Sequence, residues 1–123
     1  MNVIGPDFLA LQVVDVERAA TFYEHSLGLV RAETSPPGAV VFETQPVAFA
    51  VRSPLPGFDP TTASPRPGAG VALWLAAEGT QELHDRLVSD GVAILTPPVA
   101  GPFGLQFTFA DPDGYAVTLH ERR

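Results

Sequence analysis

Phe103-Gly104-Leu105-Gln106-Phe107-Thr108-Phe109-Ala110-Asp111-Pro112-Asp113-Gly114-Tyr115-Ala116-Val117-Thr118-Leu119-His120 reads as two antiparallel strands joined by one tight turn. Leu105, Phe107 and Phe109 alternate with Gln106, Thr108 and Ala110, the period of a strand with two unlike faces. Asp111-Pro112-Asp113-Gly114 carries turn chemistry. Pro presets φ, Asp side chains bond nearby backbone amides, and Gly tolerates a positive φ. Val117 and Leu119 then alternate with Ala116, Thr118 and His120.

Upstream of this hairpin, Val71–Ala76 has strand alternation and Thr80–Asp90 has helical spacing ended by Gly91. Val92–Leu95 reads as a strand, and Thr96-Pro97-Pro98 as a break. Gly101-Pro102-Phe103-Gly104 is a turn. The first half of the chain has the same order. Phe8–Val14 is a strand; Asp15 is an N-cap with Glu17 in the first turn; the helix runs from Val16 to about Leu27, and Gly28 is its C-cap. Strands follow near Leu29–Glu33, Ala39–Glu43 and Val47–Arg52. Between the halves, Ser53–Gly70 holds five prolines and reads as a linker or a pocket-edge loop. One element order recurring at a period of about 60 residues predicts an internal duplication.

Three stretches in order carry a resemblance: Leu11-Gln12-Val13-Val14-Asp15-Val16-Glu17 entering Phe22-Tyr23 and Leu27-Gly28-Leu29; Leu83-His84-Asp85-Arg86-Leu87 with Asp90-Gly91-Val92; and Phe103-Gly104 through Phe109-Ala110-Asp111-Pro112-Asp113-Gly114. The chain resembles the vicinal oxygen chelate superfamily, the glyoxalase, bleomycin-resistance and ring-cleaving dioxygenase group. It looks most like the metal-free bleomycin-resistance branch. The resemblance implies an α+β fold of paired βαβββ modules. Together they would form a cupped, half-open, eight-stranded mixed sheet with helices on the convex side. Residues 1–123 are then one domain, with module one at 1–53, a linker at 54–69 and module two at 70–123. It also implies a homodimer.

Metal-dependent members of that group place His or Gln on the first strand of each module and Glu on the last. Carried over by strand alternation, those positions fall on Phe8, Ala72, Thr118 and about Ala50. Phe and Ala offer no donor, and a lone Thr hydroxyl is a poor one. No metal and no cofactor is therefore expected. The cup-facing residues expected to bind a ligand are Phe8, Gln12, Arg52, Trp74, Thr118 and His120. Phe8 and Trp74 would stack on a flat molecule, and the other four would orient it by hydrogen bonds. Alternatively, Phe8 and Trp74 fill the cup themselves. His25 and His84 are expected at exposed helix positions.

With 123 residues, one compact domain has room for a real core. The absence of cysteine excludes disulfides and thiolate metal sites. The net charge is −7 and every fixed basic residue is Arg, which argues against nucleic acid and suits a cationic ligand. No apolar run approaches the ~18 residues of a membrane span. The start of the chain lacks the pattern of a signal peptide, so a cytoplasmic location is expected. No nucleophile elbow, phosphate loop, zinc-protease motif or dinucleotide fingerprint is present, and no catalytic residue is assigned. The expected function is metal-independent binding of a hydrophobic or cationic small molecule, with antibiotic sequestration as the form the resemblance implies. The alternatives are a metal-dependent lyase or dioxygenase, and a non-catalytic interaction domain with a closed cup.

Overall fold

The computed structural model of the chain describes residues 1–121, so Arg122 and Arg123, the end of expected module two, lie outside the described residues. The elements are β1 (Phe8–Gln12), α1 (Val16–His25), β2 (Val30–Arg31), β3 (Ala39–Glu43), β4 (Ala48–Arg52), β5 (Leu73–Ala77), α2 (Thr80–Ser89), β6 (Ile94–Gly101), β7 (Gly104–Ala110) and β8 (Ala116–Glu121). This is the α+β pattern of two βαβββ modules. The strands form two four-stranded mixed sheets, ordered β1-β4-β3-β2 and β5-β8-β7-β6. In each sheet the last strand pairs parallel with the first and antiparallel with the third. Two compact units result, Met1–Pro60 and Thr61–Arg123, so the proline-rich segment is divided between them.

In the first unit, α1 begins at Asp15, whose carboxylate accepts the Arg18 N–H at 3.1 Å. Ala19, Ala20 and Tyr23 lie on one face of the helix and are fully buried. Tyr23 meets Phe42 of β3 and Phe49 of β4, with ring centroids 6.2 and 5.1 Å away. Each such ring, fully buried, contributes about 1.5–3 kcal/mol of transfer free energy. Arg31 ties β2 to the helix, its guanidinium meeting Glu17 at 2.8 and 3.1 Å and Glu24 at 3.2 Å. The hydrogen bond from Arg31 holds the Glu17 carboxyl below the ordinary carboxylate range. Stability from that depressed value is present above the ordinary carboxylate range and is lost as pH falls below it through the lowered value.

The second unit repeats this plan. Thr80, Leu83, His84 and Leu87 stand on α2 at the spacing of Val16, Ala19, Ala20 and Tyr23 on α1. His84 is therefore not the exposed residue expected from the sequence. It sits on the inward stripe, its side chain 19% exposed and its ring edge-on to Phe107 at 5.2 Å. The N-cap of α2 is Gly79, which has no side chain to offer. Glu121 of β8 supplies the missing acceptor, its Oε1 taking the Thr80 N–H at 3.0 Å. At the other end Gly91, at φ +79, allows a Schellman turn, with Gly91 N–H on the Val88 carbonyl and Val92 N–H on that of Leu87.

Two strand expectations are corrected. β5 starts at Leu73, because Val71 is held in a turn by its N–H on the Gly68 carbonyl, and Ala72 precedes the ladder. Thr96-Pro97-Pro98 does not interrupt β6, which runs from Ile94 to Gly101. It is an edge strand, and register shifts on either side of Thr96 absorb the two residues that cannot donate.

The closing hairpin is pinned by Asp111, which is 5% exposed. Its Oδ1 accepts the N–H groups of Asp113 and Tyr115, both at 2.9 Å. Tyr115 in turn lies over Gly68, where a Cβ would come within 2.9 Å of its ring. The end of the proline-rich segment is thus docked on the hairpin. Two stability predictions follow from this corner. Asp111→Ala strands two backbone donors and should cost about 1–3 kcal/mol in chemical denaturation, while Asp111→Asn, which keeps an acceptor, should cost less. Gly68 has φ +71, so Gly68→Ala should lose at least ~1–2 kcal/mol from backbone conformation alone.

Candidate functional site

Each sheet has one face under its helix and one face away from it. In the first unit the ladders put Phe8, Ala10 and Gln12 of β1 beside Ala48, Ala50 and Arg52 of β4 on the face away from α1. Phe8 is 54% exposed, whereas Ala50, between Ala10 and Val41, is fully buried. Gln12 and Arg52 have local structural duties. Gln12 Oε1 accepts the Leu55 N–H at 2.7 Å, and Arg52 Nε donates to the Ser53 carbonyl at 3.0 Å. Both hold the start of the proline-rich segment against the end of the sheet.

In the second unit Trp74, Thr118 and His120 share the face away from α2. Trp74 pairs in register with Thr118, which pairs with Thr108, and His120 pairs with Gln106. The Thr108 and Thr118 hydroxyls share a hydrogen bond of 2.7 Å. Sequence reasoning missed Phe103. The Pro102-Phe103 turn between β6 and β7 carries its ring back over the sheet, where it meets Trp74 and His120, each with centroids 6.2 Å away. Trp74 and His120 are 5.6 Å apart. The three rings stand at 60–83° to one another, an aromatic corner rather than a stack. Trp74 is 42% and Phe103 59% exposed, so a molecule in solution can reach both. Strand alternation could not have found Phe103, because a turn residue has no assigned face.

Gln106 was also missed, although its alternation with Phe107 marks the same face as His120. Its amide oxygen is buried and has no hydrogen-bond partner among the described residues. It closes over Gly101, where a Cβ would stand 2.7 Å from it. A buried acceptor with no donor is costly and draws a donor or a positive charge.

The positions that the resemblance assigns to metal ligands do not suit a divalent ion. Phe8, Ala50, Ala72 and Thr118 provide one side-chain oxygen among them, already engaged by Thr108. Among the described residues no three His, Cys, Asp or Glu side chains converge. The carboxyls held below their ordinary range, Glu17 by Arg31 and Asp85 chiefly by its hydrogen bond from His84, belong to the helices. No helix among the described residues is long and apolar enough to cross a membrane.

A search of curated protein sequences finds no match. Solved structures share the fold. An antibiotic binding protein, TnmS3, from Streptomyces sp. CB03234 is 23% identical, covers 100% of this chain and 99% of its own, and superposes with a TM-score of 0.74. A glyoxalase/bleomycin resistance protein from the same Streptomyces is 23% identical over 94% of this chain and 99% of its own, with a TM-score of 0.73. A lactoylglutathione lyase from Agrobacterium tumefaciens is 22% identical over 95% and 92%, with a TM-score of 0.66. Residues 5–119 match the sequence profile of the Glyoxalase/Bleomycin resistance protein/Dioxygenase superfamily. The paired βαβββ modules and a match over nearly the whole chain have one meaning: the chain belongs to that superfamily.

Proposed function

We propose that the protein binds a flat hydrophobic or cationic small molecule without a metal and without changing it chemically, in the manner of an antibiotic-sequestering protein. The observation that carries this reading is the pair of exposed rings, Trp74 and Phe103, standing over the sheet face away from α2. The ring of Trp74 stacks on the ligand. Thr118 and His120 beside it supply further contact and hydrogen bonds, and Phe8, Gln12 and Arg52 are the corresponding candidates on the first unit's own open face. The chain's −7 charge attracts a basic ligand. TnmS3, described as antibiotic binding, lends the reading support at the level of fold.

The competing reading, a metal-dependent lyase or dioxygenase, finds no donor set at the required positions. The proposal includes a cytoplasmic setting, no nucleic-acid partner, and pairing of two chains. The exposed Phe8 ring on the first unit's open face favours such pairing.

Native mass spectrometry of tag-free protein purified without chelators tests ligand, metal and pairing together. The expected result is a dimer mass carrying no stoichiometric metal, with added flat aromatic antibiotics appearing as adducts. A bound divalent metal with turnover would transfer the assignment to the enzyme. Trp74→Ala should weaken binding of the flat aromatics by about tenfold or more. Its melting temperature should stay close to that of the parent, because the removed ring is 42% exposed. Unchanged affinity would exclude Trp74 from the site.

A further inference from the structure

We propose that Trp74, Phe103 and His120 form an aromatic cage for an alkylated ammonium group, tertiary or quaternary, carried by a small-molecule ligand. The inference rests on the binding reading above and names the ligand group that this corner takes. Ring faces attract cations within about 6 Å of the centroid, and a cage gains from several at once. The three centroids form a nearly regular triangle with sides of 5.6, 6.2 and 6.2 Å. A cation centred ~4 Å above that triangle is about 5.3 Å from every centroid, within reach of all three rings. Their mutual inclinations of 60–83° make walls of a corner, which can surround a rounded substituent carried by an otherwise flat ligand.

The surrounding chemistry selects alkylated over bare ammonium. Among the residues that the ladders place on this face there is no Asp or Glu. The two threonine hydroxyls are already bonded to each other. A primary ammonium brings three donors and would leave them poorly satisfied here. A quaternary group brings none and loses little hydration on entry. Gln106, paired with His120 in the ladder, adds an amide oxygen that meets no donor among the described residues. Its unneutralised partial charge favours a cation nearby. At longer range, the net charge of −7 favours the approach of a cation.

Choline and its neutral isostere 3,3-dimethylbutan-1-ol separate charge from shape. Both are titrated against the full chain and read by the emission of Trp74, the sole tryptophan, and by its indole N–H resonance. Choline should bind about tenfold or more tightly than the isostere. Phe103→Ala should cost choline about fivefold or more, and Phe103→Tyr should retain it. Phe103 is 59% exposed, so the variant's fold should survive, which circular dichroism verifies. Equal binding of the two probes, no binding of choline, or indifference to Phe103→Ala would each overturn the cage. Flat aromatics that still bind through Trp74 would then leave the broader function standing. Their failure to depend on Trp74 would remove that function as well.

Discussion

The parallel pairing of each module's first and last strands is the constraint on which the rest depends. β4 lies between β1 and β3, and β8 lies between β5 and β7. A parallel pair cannot be closed by a tight turn, so the helix and two intervening strands must complete the circuit. That circuit presses each helix onto one sheet face and leaves the other face free of that helix. In the first unit the pressed face is closed by Tyr23, Phe42 and Phe49. In the second it is closed by Leu87, Phe107 and Phe109, with His84 edge-on to Phe107.

The candidate binding residues lie on the faces away from the helices, and the two units differ in how those residues are engaged. On the first, Gln12 and Arg52 are bonded to the start of the proline-rich segment, so their polar atoms already have work. On the second, the polar pair Thr108–Thr118 satisfies itself, and Gln106 keeps an oxygen in reserve. The aromatic rings there face one another and the solvent. The proposed binding surface therefore rests on the second unit, although sequence reading divided its expected site residues evenly between the modules.

Much of the candidate site was legible before any coordinates. Alternation assigned Trp74, Thr118 and His120 to a common face, because side chains in a strand have a period of two and the parallel register keeps that parity. The same rule pointed to Gln106, which was passed over. His84 was expected at an exposed helix position, although its spacing with Thr80 and Leu87 puts it on the inward stripe. Pro97-Pro98 was misjudged, because proline is excluded from central strands but tolerated at an edge, and strand order is not a local property.

What the sequence determined by itself was the element order, the duplication, the two-faced strands, the Asp111 turn and the lack of metal-ligand side chains at the expected positions. All of these follow from periodicity and side-chain chemistry over short windows. Only the tertiary structure decided that Phe103 folds from a hairpin turn onto Trp74 and His120, that Glu121 caps a helix 41 residues earlier, and that Tyr115 closes over Gly68. Each of these joins residues whose meeting depends on how strands are ordered and where a turn aims its side chain. Loop conformation and sheet order are settled by the packing of the whole unit, and no local pattern records them.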